Sequence, residues 1–64
     1  MYQTGDIRNL RPDDPEHADR GSAERDALAR SEREPEGFFG VWRGQDEGSE
    51  LLAIAHDRAL FRAA

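Results

Sequence analysis

Large apolar side chains are scarce through the first half of this chain and crowded in the second. Of fourteen residues drawn from Met, Tyr, Trp, Phe, Leu, Ile and Val, nine follow position 37. Residues 11–37 hold one of them, Leu28, among fourteen charged side chains. Residues 38–42, Phe-Phe-Gly-Val-Trp, then gather three of the five aromatics into one short window.

This pattern predicts three segments. Residues 1–14 read as an extended arm anchored by Tyr2, Ile7 and Leu10, with Gly5 interrupting any strand and Pro12 turning the chain. Residues 15–36 read as a charged, weakly helical segment. Asp14 before Pro15 caps a short turn reaching Arg20. Ser22 caps a second helix, with Glu24 and Asp26 near its start and Arg30 and Arg33 near its end. Its stripe of Ala23, Ala27, Leu28 and Ala29 gives it little to bury, and Pro35 and Gly37 end it. Residues 37–64 read as an aromatic strand, a polar turn over Arg43–Gly48, and an amphipathic helix capped by Ser49. The expected fold is mostly α: a small, partly disordered chain with one short extended aromatic segment followed by a C-terminal amphipathic helix.

On that last helix, at about 100° per residue, Leu51, Leu52, Ile54, Ala55, Ala59 and Phe61 form an apolar half-cylinder. Arg58 and Arg62 fall in its middle and Leu60 on the opposite side. Cations favour the closing turns of a helix, and their stems can cover apolar surface. The alternative is a face that docks on a partner and delivers guanidinium groups to its acidic residues. Phe38, Phe39 and Trp42 carry the same choice: a core with Leu51, Ile54 and Phe61, or anchors in a partner. Consecutive Phe38 and Phe39 point to opposite faces when extended, more than one small core readily takes. Aromatics with arginine are the usual anchors of interfaces.

Size favours the partner. A chain of 64 residues sits near the lower limit of autonomous folding. Burying each large apolar side chain contributes roughly 1.5–3 kcal/mol, against about 1.5 kcal/mol of conformational entropy per ordered residue. Cysteine is absent, which removes disulfides and Cys-based zinc sites, and His17 and His56 alone make a poor metal site. A protein partner is the remaining device. The formal charge of −5 argues against nucleic acid, which needs a basic patch. All nine basic residues are arginine, suited to carboxylate recognition, though a GC-rich genome produces the same bias. No basic-then-apolar leader and no run of eighteen apolar residues occurs, which points to the cytoplasm and away from membranes.

Candidate chemistry is thin. His56 and Asp57 diverge by about 100° on a helix and make no base–orienter pair. Ser22, Ser31 and Ser49 lack a nucleophile elbow's glycines. Gly40-Val-Trp-Arg-Gly44 lacks a phosphate loop's lysine. The expectation is no catalytic residue, no metal and no cofactor.

The run Gly37-Phe38-Phe39-Gly40-Val41-Trp42, an acidic Gly-rich break at Asp46 and Glu47, and a helix carrying Arg58 and Arg62 together resemble the toxin-binding tail of VapB-like type II antitoxins. These partners of PIN-domain ribonucleases lay an aromatic element in a groove of the toxin, and a basic residue can reach its acidic nuclease site. The resemblance covers residues 37–62. It implies a small inhibitor that occupies a partner's groove, with Phe38, Phe39, Val41, Trp42, Leu51, Ile54, Arg58, Phe61 and Arg62 as its binding residues. The alternative is a small accessory subunit of a larger complex. The family's N-terminal DNA-binding module has no counterpart in residues 1–36.

Overall fold

A computed structural model describes residues 1–9, 14–44 and 50–63, and its dominant element is a sheet. Strands take 44% of the described residues and the single helix 26%, so the mostly α expectation is overturned. The order along the chain is β1 (Tyr2–Asp6), β2 (Glu16–His17), α1 (Arg20–Arg33), β3 (Phe38–Arg43), β4 (Glu50–His56) and β5 (Ala59–Arg62). The strands pair antiparallel in the order β2-β1-β3-β4-β5. The helix lies across one face of the sheet and touches every strand.

The N-terminal arm is a strand, since Tyr2–Asp6 finds β3 as a neighbour and pairs Gly5 with Gly40. The turn expected over Pro15–Arg20 is also replaced, because residues 16 and 17 pair with β1. The helix then starts one turn later than Asp14 would set it. Its cap is Asp19, whose carboxylate accepts from the Ser22 backbone N–H at 2.8 Å and covers one of the first-turn donors left without an intrahelical partner. Ser22 sits inside the helix instead. Glu34 closes the other end through its N–H to the Arg30 carbonyl, with Pro35 and Gly37 following.

Ala23, Ala27 and Ser31 recur every four residues and are fully buried, which puts them on one face of the helix. Their small size lets the helix settle closely on the sheet, where Ala53 and Ala55 of β4 are equally small. Phe39 and Val41 fill the remaining space. The Arg30 guanidinium lies 4.8 Å from the centre of the Phe39 ring, so the aromatic face offers its charge a partner.

The largest correction concerns residues 50–62, expected to be an amphipathic helix and found as a two-strand hairpin. His56 pairs with Ala59 across Asp57 and Arg58, which have φ of 50° and 66°. Positive φ at both central positions is what a two-residue hairpin turn of type I′ needs. Leu51-Leu52-Ala53-Ile54-Ala55 is an apolar run with good helix formers. It lies between β3 and β5 with apolar neighbours on both faces, and such a run carries no period that separates strand from buried helix. The Ser49 cap and the Asp46–Glu47 turn lie outside the described residues, as do Leu10, Arg11 and Pro12.

Candidate protein-binding face

Alternation along β3 divides the aromatic window between the two faces of the sheet. Phe39 and Val41 point under the helix and are essentially fully buried. Phe38, Gly40 and Trp42 point to the opposite face, and the antiparallel register brings Ile54, His56, Ala59 and Phe61 to the same side. From β1 the register adds Gln3 and Gly5, and Ile7 follows, its N–H bonded to the Phe38 carbonyl at 3.0 Å. Among the described residues α1 is the one element off the sheet, so none of them forms a layer over this second face.

Two local devices shape it. The first is Gly40. A Cβ there would lie 2.6 Å from the Trp42 ring and 2.9 Å from an Ile7 methyl. The indole therefore leans over the glycine and meets Ile7, which explains the Gly-x-Trp spacing. The second device is a stack. The Phe38 and His56 rings lie 3.8 Å apart and almost parallel, at 3°. His56 Nδ1 stands 2.9 Å from the Gly37 carbonyl oxygen, and since a carbonyl only accepts, Nδ1 carries the proton and donates. The Arg8 guanidinium lies 5.4 Å from the Phe38 ring centre. At the far side Ile54 is paired with Phe61, which is 60% exposed, a high value for a large apolar side chain.

Of the residues expected to bind a partner, Phe38, Trp42, Ile54 and Phe61 thus share one surface. Leu51 stands opposite Trp42 in register, next to a bulge in the β3–β4 pairing. Leu52 is fully buried but stands apart from the core cluster under the helix. Phe39 and Val41 belong to that core and are unavailable to a partner without unfolding. Arg58 is at the tip of the β4–β5 hairpin, not on a helix face. Arg62 is on the helix side of the sheet, where its Nη2 and Nε donate to the two Glu24 carboxylate oxygens at 3.0 and 3.1 Å.

That ion pair belongs to a second, structural set of contacts. Arg20 Nε also donates to Glu24 at 3.1 Å. The hydrogen bonds from Arg62, with help from Arg20, outweigh the cost of burial and hold the Glu24 carboxyl below its usual range. Asp26, on the other flank of the helix, accepts from the Thr4 hydroxyl at 2.6 Å and meets His17 Nε2 at 3.1 Å. Burial pushes its carboxyl up, but these bonds prevail and it too lies below its usual value.

Sequence reasoning missed Ile7 and His56 as members of the open face. The signal for Ile7 is its two-residue step from Gly5, once residues 2–6 are read as a strand. The signal for His56 is its parity with Ile54. No family model, curated protein or solved structure matches this chain. Among the described residues no helix is long and apolar enough to cross a membrane.

Proposed function

We propose that this protein is a non-catalytic binding module that engages another protein chain through the open face of its sheet. One observation carries the reading: Ile7, Phe38, Trp42, Ile54 and Phe61 are brought to one side of the sheet, with Phe61 left 60% exposed. Contiguous apolar surface of this kind marks interaction sites in small proteins. The helix side, by contrast, is closed by its own core and by ion pairs. The counter-surface this face suits is apolar and aromatic-accepting, with hydrogen-bonding groups at its rim for Gln3 and His56.

This role keeps the aromatic strand of the antitoxin resemblance and loses its helix, because the residues that were to form the helix are β4 and β5. It therefore extends to binding and not to inhibition of a nuclease.

Site-specific photocrosslinking in cells tests it. A photoreactive phenylalanine analogue at position 61 is expected to capture a discrete protein adduct. The same probe at Ala29, exposed on the helix, should capture none. Absence of any adduct at position 61, or equal capture at both positions, removes the reading.

A further inference from the structure

We infer that the outer edge of β5 accepts an extended strand of another protein, one that carries an acidic residue two positions before an apolar one. The inference is independent of what covers the open face. It starts from the two borders of the sheet, which are finished differently. At the β2 border the edge strand is two residues long, Pro15 beside it has no N–H to offer, and Glu16 is exposed. Short strands, proline and charge are the usual means of closing an edge.

β5 has four residues and no proline, and among the described residues no strand lies beyond it. The Ala63 N–H bonds the Leu52 carbonyl, and Phe61 is paired with Ile54. By alternation the N–H and C=O groups of Leu60 and Arg62 point away from β4. Two donor–acceptor pairs about 7 Å apart form the template that an added strand satisfies.

Beside this edge, on the helix side, α1 and β5 enclose a groove of about 330 Å³ lined by Gly21, Glu24, Arg25, Leu28, Leu60 and Arg62. Gly21, Arg25 and Leu28 recur at helical spacing along the flank of α1. Leu28 is the one large apolar side chain of residues 11–37, yet it stands half-buried here, outside the core under the helix. With Leu60 it gives the groove an apolar wall. A strand about 4.8 Å beyond β5 sets every second side chain into this groove.

Charge and polarity then describe the occupant. Glu24 is shared between Arg20 and Arg62, so the groove's carboxylate is already engaged. Arg25 is exposed, and the Arg62 side chain keeps 64% of its surface open. These two guanidinium groups suit an incoming carboxylate. The sheet is antiparallel throughout, and a strand added in the same sense passes Arg62 before Leu60. Its order is acidic, any residue, apolar, with the middle side chain on the open face beside Phe61. A second copy fits poorly: its own β5 brings Arg62 and no carboxylate, and its β2 edge is closed by Pro15.

Amide NMR of the isotope-labelled full chain tests this with the blocked heptapeptide Ser-Thr-Glu-Thr-Val-Thr-Ser, titrated to about 5 mM to cover millimolar affinity. The Leu60 and Arg62 amide signals should move downfield, more than those of Trp42 and Ile54, and their hydrogen exchange should slow. The same peptide with lysine in place of glutamate should bind at least about threefold more weakly, the scale of exposed charge pairs. Arg25 bonds only the Ser22 hydroxyl on its own helix, so Arg25→Glu should keep the wild-type circular dichroism and abolish the preference for glutamate. No shift at Leu60 and Arg62 overturns the inference, as do shifts centred on Trp42 and Ile54 or equal binding of the two peptides by wild type. Shifts at Leu60 and Arg62 that follow protein concentration without peptide would make a second copy the occupant, and overturn it as well.

Discussion

A single methyl group at position 40 would collide with the Trp42 ring and with Ile7, so the face is specified there by the absence of a side chain. Gly40→Ala forces the indole off its shelf, and overpacking of this sort costs about 1–3 kcal/mol. Chemical denaturation should show that loss, and Trp42 emission should shift to the red as the ring moves toward water. Unchanged stability and emission would mean that the ring does not rest on Gly40. At this scale the sequence was partly legible. Strand parity alone separates Phe38 and Trp42 from Phe39 and Val41, and the opposed directions of Phe38 and Phe39 followed from it. The partner of Arg62 was not legible. Glu24 lies 38 positions earlier, and nothing local distinguishes it from the thirteen other acidic residues.

The β4–β5 hairpin shows why element type was misread. Its turn, Asp57-Arg58, has positive φ at both positions without the Asn-Gly or Asp-Gly that usually announces such a turn. Alanine and leucine around it favour helix by intrinsic propensity. What overrides propensity is pairing: Ala53, Ala55 and Ile54 are flanked by β3 and β5 and covered by the helix on one side. A neighbour supplied by distant residues leaves no period of its own in the local sequence. Arg58→Gly tests the turn. Relief of the left-handed conformation, less the entropy added to the unfolded chain, should stabilise the protein by about 0.5–1 kcal/mol, read as a raised melting temperature. A lower melting temperature would place the turn in another conformation or give the Arg58 side chain a contact of its own. The helix fared better in prediction because two of its signals are local, the arginines in its last turn and Pro35 beyond it, although its cap is Asp19 and not Ser22.

At the scale of the molecule, two carboxylates fasten the helix to opposite borders of the sheet. Glu24 reaches Arg62 on β5, and Asp26 reaches Thr4 on β1 and His17 on β2. Two positions apart, they leave the helix about 200° from each other, so each guards one flank of the alanine stripe. Both carboxyls are held below their ordinary values of 4.5 and 3.8. The unfolded chain therefore takes up protons before the folded one does, and stability is greater where both groups are ionised in either state. It is complete above pH 4.5, the unfolded value of Glu24, and falls with acidity as the pH passes through the lowered folded values. Urea denaturation at a series of pH values should show this acid limb. Glu24→Gln and Asp26→Asn should each destabilise the protein at neutral pH by about 1 kcal/mol, reduced from a buried ion pair's effect because Arg62 is largely solvated. Each should also flatten the acid limb, and the double variant should flatten it most. An acid limb unchanged in the double variant would show that the two flanks are held by packing, with the small helix-side residues sufficient to keep the open face flat.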